Sequence, residues 1–169
     1  MEGGRRRLSW IKCHEWNYAS SDAATAILGE ALWVTGGRPY SNRDTLSTTQ
    51  LVYSNGTVES GPFLPKPKKG HCMVTMHDGR IILIGGDLND GEDGTRDVFI
   101  YDPVTEKFTT GPSTKENRWV SACVLFRSPA HGNRPVVAAI SGSRVSSAEI
   151  FDYTVATDWT FSKFLFFNW

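Results

Sequence analysis

The sequence predicts an all-β repeat protein made of about three four-stranded antiparallel units, and two spacings carry that prediction. An apolar run that ends in Gly-Gly or Ser-Gly occurs three times, at residues 32–37, 82–86 and 137–142. An aromatic residue follows each run, and these residues lie 48 and 50 positions apart: Tyr53, Tyr101 and Phe151. Self-similarity at a period of roughly 50 residues is typical of repeat architectures.

The second unit shows the pattern most clearly. Its four predicted strands are residues 71–76, 81–84, 98–101 and 107–110. Asp78-Gly79 supplies the positive backbone dihedrals of a tight hairpin turn between the first two strands. Gly85-Gly86 ends the second strand, where a crowded turn leaves no room for a β-carbon. Pro103 cannot donate to a β-ladder and therefore marks the turn before the fourth strand.

The first and third units follow the same plan. In the first unit, strands at 24–28 and 32–35 precede a hairpin at Asn55-Gly56, the strongest short hairpin signal in a sequence. In the third, Ser141 replaces the first glycine of the pair. The predicted boundaries are 23–65, 66–115 and 116–161 for the three units, with an N-terminal segment at 1–22 and an aromatic tail at 162–169. The N-terminal segment is interpreted either as a separate segment or as the remains of a preceding unit.

Composition narrows the functional classes. Lys and Arg total 18 and Asp and Glu total 18, so no excess of positive charge favours a nucleic acid or an anionic membrane as partner. No apolar stretch approaches the roughly 20 residues that span a bilayer. Cys72 and Cys123 lie 51 residues apart and are interpreted as buried apolar side chains at equivalent repeat positions. Free thiols favour a reducing compartment, so the predicted location is the cytoplasm, with the nucleus as the alternative.

Catalytic and metal sites are not predicted. The acidic loop at 87–97 fits no register of a calcium-binding EF-hand loop. The four histidines show no metal-ligand spacing, and the Gly-Gly pairs end strands rather than cradling a phosphate. The sequence therefore predicts no catalytic residue, no metal and no cofactor.

The pattern resembles the kelch repeat. The run from Asp78 to Gly86, followed by Tyr101-Asp102-Pro103 and an aromatic at Phe108, matches that repeat closely. The resemblance covers about residues 23–161 and is weakest in the third unit. It implies that each unit is a blade of a partial β-propeller. Closed propellers carry about 4–8 blades, so three blades would leave two open flanks. A fragment, a truncated product or self-association through the open blade edges is therefore expected.

The resemblance also implies which residues have structural and which have binding roles. The structural motif comprises Gly36, Gly37, Gly85, Gly86, Gly142, Tyr53, Tyr101, Asp102 and Phe151. Partner contacts are expected from the loops after Gly-Gly, at Arg38, Tyr40, Asn42, Arg43, Asp87, Asn89 and Arg144. The connections between units add Lys68, Lys69 and Arg118. Paired arginines on one face suit an acidic or phosphorylated partner through bidentate contacts.

The predicted function is protein–protein interaction without catalysis. By analogy with kelch proteins that serve ubiquitin ligases, the chain is expected to recognise a protein or peptide, with substrate recruitment to such a ligase as a further expectation. Two alternatives remain open. One is a fragment of a kelch-propeller enzyme of the galactose oxidase or sialate mutarotase type, and the other is a truncated product without function.

Overall fold

The computed structural model describes residues 20–39, 44–88 and 93–162. Three four-stranded antiparallel sheets follow one another along the chain. Each sheet is a blade, and the predicted all-β, partial propeller fold is confirmed. The residues outside these ranges include most of the predicted N-terminal segment and all of the aromatic tail except Ser162.

The first blade is accompanied by a short pair of strands. The pair consists of β1 (Ser20–Ser21) and β4 (Arg38–Pro39). The blade itself has the strand order β2 (Ala24–Leu28), β3 (Ala31–Thr35), β5 (Thr49–Tyr53) and β6 (Val58–Ser60). Each strand is antiparallel to the next, so the sheet is a simple meander.

The second and third blades repeat this meander. The second contains β7 (Lys69–Thr75), β8 (Ile81–Asp87), β9 (Val98–Asp102) and β10 (Lys107–Thr110). The third contains β11 (Ala122–Ser128), β12 (Arg134–Ile140), β13 (Ala148–Phe151) and β14 (Thr160–Ser162). A single 3-10 turn at Pro129–His131 lies between β11 and β12. The last strand extends one residue beyond the predicted third unit.

The first strands of the blades lie side by side, β2 against β7 and β7 against β11. Backbone hydrogen bonds join them just before the strands begin. The Gly70 amide donates to the Asp22 carbonyl at 2.8 Å, and the Val120 amide donates to the Gly70 carbonyl at 2.7 Å. All three residues have φ between +53° and +60°. This chain of hydrogen bonds fixes the register between successive blades.

Two apolar cores lie between the blades. In the first, Trp33 packs against Tyr101, whose ring centroid is 4.9 Å away, and Tyr101 packs against Phe108 at the same distance. The second core repeats the aromatic pair as Phe151 and Trp159, 5.3 Å apart. Fully burying an aromatic side chain contributes about 1.5–3 kcal/mol, so these pairs are major anchors of the blade stack.

Strand register corrects the predicted equivalence of Tyr53. Leu32 and Ile81 are equivalent, because each lies four residues before the first glycine of its Gly-Gly pair. Ile81 pairs with Tyr101, whereas Leu32 pairs with Val52, so Val52 occupies the position of Tyr101 in the first blade. Tyr53 follows one residue later and is only half-buried. A one-residue shift turns a side chain to the opposite face of a sheet, and spacing along the sequence does not reveal it.

The same offset separates the two cysteines. Cys72 pairs with Ile84, immediately before Gly85, whereas Cys123 pairs with Ala139, two residues before Ser141. The prediction of equivalent positions is therefore wrong by one residue. Because neighbouring residues of a strand point to opposite faces, Cys72 faces the third blade and Cys123 faces the second. Both lie in the core between those blades.

The Gly-Gly pairs lie where the connection to the next blade crosses. A β-carbon on Gly36 would collide with the Lys68 carbonyl, and one on Gly85 with the Arg118 carbonyl. The second glycine of each pair donates its amide to that same carbonyl. Gly37 donates to Lys68 at 2.8 Å, and the second glycine of the other pair donates to Arg118 at 2.7 Å. The glycines are required by this close approach and by their positive φ.

Val120 combines a β-branched side chain with φ of +53°. That conformation costs about 1–3 kcal/mol for a non-glycine residue. Val120 is 60% exposed, so its side chain contributes little burial. Val120→Gly is therefore expected to raise the free energy of unfolding by about 1 kcal/mol, after the entropy cost of glycine. Urea denaturation followed by circular dichroism measures this change.

A matched substitution separates strain from a general effect of glycine. Val104 is 90% exposed and its own φ is not positive, although Glu106 in the same turn has φ of +55°. Val104→Gly is expected to lower the free energy of unfolding by about 0.5–1 kcal/mol, because glycine makes the unfolded chain more flexible. Equal losses in both variants would show that the Val120 backbone is not strained.

Candidate partner-binding surface

The loops predicted to bind a partner open at one end of the blades. At this end β3, β8 and β12 finish, and the connections between blades cross. We call it the connection end, and the opposite end, with the tight hairpins at Gly29, Gly56 and Gly79, the hairpin end. The shared plan of the blades therefore brings loops that are far apart in the sequence onto one surface.

The predicted binding residues are placed differently on this surface. Arg38 is half-buried in β4, Asp87 is 8% exposed at the end of β8, and Arg144 is 70% exposed in the loop after β12. Four predicted residues lie outside the described residues: Tyr40, Asn42, Arg43 and Asn89. Of the predicted set, Arg144 is the most accessible in the part of the chain that the structure describes.

Arg144 forms an ion pair across two blades. Its Nη1 donates to Oδ1 of Asp93 at 3.1 Å, and Asp93 is 76% exposed. Exposed pairs of this kind stabilise a fold by about 0–1 kcal/mol, so a stronger contact can replace this one. The pair joins the β8–β9 loop of the second blade to the β12–β13 loop of the third.

Arg118 is not a surface residue, and its predicted role in partner binding is wrong. Its side chain is 0% exposed and pairs with the equally buried Glu149 at 2.8 Å. Its Nη1 also donates to the carbonyls of Ser141 and Ser147, both at 2.8 Å. A buried arginine requires such partners, because an unpaired charge away from water is very costly. Arg118 therefore holds the loop of the third blade.

Lys68 occupies the same place one repeat earlier and is also buried, with 1% exposure. Its Nζ donates to the Gly85 carbonyl at 2.9 Å and to Asp97 Oδ2 at 3.3 Å. Burial lowers the pKa of Lys68, and the neighbouring Asp97 carboxylate partly offsets that effect. Lys69 is 4% exposed. The predicted cations of the connections therefore have structural roles.

Other exposed residues at the connection end were not predicted. Phe63 is 69% exposed in the first connection, and Lys66 of the same connection is 49% exposed and pairs with Asp97 at 3.1 Å. Glu116, in the second connection, is 42% exposed. The proline-rich run around Phe63 was an available signal, since an aromatic side chain in such a segment has no strand to pack into. The surface thus carries an aromatic group and charges of both signs.

His71 lies beneath this end, 5% exposed, with Nε2 2.7 Å from Thr35 Oγ1. Burial, followed by the charge of Lys68, lowers its pKa from 6.5 to about 3. In the unfolded chain the His71 imidazole therefore binds a proton near pH 6.5, whereas in the folded chain it stays neutral until about pH 3. Since the unfolded state binds more protons in that window, stability is full above pH 6.5 and falls as the pH falls.

This linkage gives a measurable pH dependence. Lowering the pH from 7.5 to 5 is expected to reduce the free energy of unfolding by about 2 kcal/mol through His71. His71→Gln keeps a polar group near Nε2 but cannot titrate, so its stability is expected to vary less over this range. Urea denaturation between pH 5 and 7.5 tests this, and parallel curves for the two chains would contradict it.

A cleft of about 290 Å³ lies at the hairpin end between the second and third blades. Its lining residues are His77, Asp78, Arg80, Pro135, Tyr153 and Thr154. Arg80 is already paired with Asp78 at 2.6 Å, and the His77 amide donates to Tyr153 Oη at 3.1 Å. Internal contacts therefore occupy the main polar groups of this cleft.

Two kinds of feature are absent from the described residues. Within residues 20–39, 44–88 and 93–162, no three or more His, Cys, Asp and Glu side chains are grouped to hold a metal ion. In the same ranges, no helix has the length and apolar character needed to cross a membrane.

Comparisons with known proteins agree with this architecture. The family model of the kelch motif matches residues 69–115, which is the second blade. The kelch-like protein terF of Aspergillus terreus (strain NIH 2624 / FGSC A1156) is 30% identical over 112 residues, covering 62% of this chain and 24% of that protein. The solved structure of YjhT superposes with a TM-score of 0.67 at 12% identity, covering 88% of this chain and 53% of that one.

These similarities establish the fold class, an all-β chain of successive four-stranded blades. More narrowly, residues 69–115 match the kelch motif, and the chain is similar to a kelch-like protein over 112 residues. It spans about a quarter of the curated relative and about half of the solved chain. The likeness to YjhT, at 12% identity, shows the fold alone.

Proposed function

We propose that the chain is a non-catalytic interaction module that binds a protein or peptide partner at its connection end. The supporting observation is the gathering of exposed side chains from two blades and a connection on one surface: Phe63, Lys66, Asp93 and Arg144. Interfaces combine an aromatic anchor with charged groups at the rim, and this surface offers both.

The charge arrangement favours an acidic group on the partner. Arg144 contacts Asp93 and Lys66 contacts Asp97, each at 3.1 Å. A carboxylate or phosphate of the partner would compete with Asp93 for the Arg144 guanidinium and gain a bidentate geometry. Phe63, in the same connection as Lys66, would then supply apolar contact.

Charge reversal at the two ends tests this proposal. Lys66→Glu with Arg144→Glu changes the connection end, and Lys107→Glu with Arg127→Glu makes the same change in charge at the hairpin end, where both side chains are exposed. Once a partner is captured by the full chain and purified, calorimetry measures each affinity. We expect the connection-end variant to bind at least roughly tenfold more weakly, which corresponds to about 1.4 kcal/mol.

The hairpin-end variant controls for net charge. Its affinity is expected to stay within about twofold of the unmodified chain, because rim charges away from the contact act only through long-range steering. Equal weakening in both variants would place the binding surface elsewhere. Circular dichroism of each variant establishes that the fold is intact before binding is compared.

Finer assignments stay predictions from the kelch resemblance. We propose a cytoplasmic location, with the nucleus as the alternative, and recruitment to a ubiquitin ligase as one use of the module.

Self-association is supported by the outer face of the first blade, where Ile27 is 57% and Leu32 38% exposed. Sedimentation of the full chain tests it, since a concentration-independent monomer would contradict it. The enzyme-fragment and truncated-product alternatives also stay predictions.

A further inference from the structure

We propose that Cys72 and Cys123 form a redox-responsive dithiol, which hydrogen peroxide converts into a disulfide bond between the second and third blades. Both cysteines are free thiols in the structure. Cys72 lies on β7 and faces the third blade, and Cys123 lies on β11 and faces the second. They meet across one core because their strand positions differ by one residue.

Two hydrogen bonds hold the two strands together at this point. The Val120 amide donates to the Gly70 carbonyl at 2.7 Å, two residues before Cys72. Ser121 Oγ donates to Cys72 Sγ at 3.6 Å. Both cysteine side chains belong to the same apolar core between the blades. A disulfide requires close strands with side chains directed toward each other, and the two hydrogen bonds together with the shared core supply that arrangement.

The two thiols differ in access. Cys72 is 8% exposed, whereas Cys123 is partly exposed. Peroxide therefore reaches Cys123 first. The neighbouring Cys72 thiol and then burial raise the pKa of Cys123, so the thiol form dominates at neutral pH and reaction is slow. The pair is therefore expected to respond to sustained peroxide rather than to act as a catalytic thiol.

The reaction balances with one peroxide. After losing its proton, the Cys123 sulfur attacks one peroxide oxygen, the O–O bond breaks, and a water molecule leaves once the departing hydroxide is protonated. Cys123 is then a sulfenic acid. The Cys72 sulfur attacks the Cys123 sulfur, loses its own proton, and displaces the hydroxyl group as a second water. Two thiols and one hydrogen peroxide give one disulfide and two waters.

Peptide mapping of the full chain tests the proposal. A Cys13→Ser background removes the third cysteine. After peroxide treatment, free thiols are blocked with iodoacetamide and the chain is cut with trypsin without reductant. We expect residues 70–80 joined to residues 119–127, with a mass two hydrogens below the sum of the two peptides. The melting temperature is expected to rise by roughly 5–10 °C and to return after reduction.

Two controls give the result its meaning. In concentrated urea the same treatment is expected to give several-fold less of the linked peptide at matched time, since the blades no longer hold the thiols together. In a Cys72→Ser variant the link is expected to disappear, and dimedone is expected to trap Cys123 as a sulfenic acid. The peptide mapping is done on the folded chain that retains both Cys72 and Cys123. Its result therefore does not depend on whether the Cys72→Ser variant folds. Separate alkylated or sulfinic peptides in the oxidised native chain, or equal linking with and without urea, would overturn the proposal.

Discussion

Replacing Arg118 with methionine is expected to lower the free energy of unfolding by about 3–5 kcal/mol, the usual cost of breaking a buried ion pair. Methionine fills similar space but leaves the fully buried Glu149 carboxylate without its cation. It also removes the donor to the carbonyls of Ser141 and Ser147. The backbone amides of Lys115 and Glu116 still donate to Glu149, so part of the carboxylate remains solvated by the protein. Urea denaturation at pH 7.5 measures the loss.

Two further variants identify the cause of that loss. Arg144→Met removes an exposed pair and is expected to cost less than about 1 kcal/mol. Adding Glu149→Gln to the Arg118→Met chain neutralises the stranded carboxylate and is expected to recover part of the stability. If Arg118→Met and Arg144→Met destabilise the chain equally, Arg118 does not have the structural role assigned to it.

The second large effect is expected from Gly85→Ala, which should cost about 3 kcal/mol. The new β-carbon would overlap the Arg118 carbonyl and lie 2.6 Å from the Arg118 β-carbon. Both groups belong to a connection pinned by the buried ion pair, so relief requires backbone movement. The φ of +69° adds strain for any residue with a β-carbon. Thermal and urea denaturation both report the change.

Gly79→Ala provides the matched control. Gly79 has φ of +85°, but a β-carbon there would meet no atom within 4 Å. The expected cost is about 1 kcal/mol, from left-handed backbone strain alone. The difference between the two alanine variants therefore isolates the crossing of the connection. Losses of the same size would contradict the role of Gly85 in that crossing.

The repeat period was sufficient to predict the blades. Strands with apolar runs, Asp-Gly and Asn-Gly turns, and glycines at strand ends are local signals, and they placed the meander of the second blade closely. The period did not reveal that Tyr53 and Cys123 are each displaced by one residue from their supposed equivalents. Loop lengths vary between units, and only strand pairing shows which face a side chain occupies.

Charged residues in the connections were the main failure of prediction. Lys68 and Arg118 were predicted as surface residues that contact a partner, because charged side chains are seldom fully buried. Their partners lie 29 and 31 residues away, beyond any local pattern. A signal was nevertheless present: the two cations are 50 residues apart, and the acidic partners Asp97 and Glu149 recur at 52. Opposite charges that recur at the repeat period indicate a buried structural pair.

The crossing of each connection has a consequence for synthesis of the chain. The amide of Gly37 finds its acceptor on Lys68, and that of Gly86 finds its acceptor on Arg118, 31 and 32 residues later. A blade that emerges from the ribosome therefore lacks this hydrogen bond until the connection to the next blade has been synthesised. Because domains form from the N-terminus onward during translation, the blades are expected to close one after another, each with a delay of roughly 30 residues.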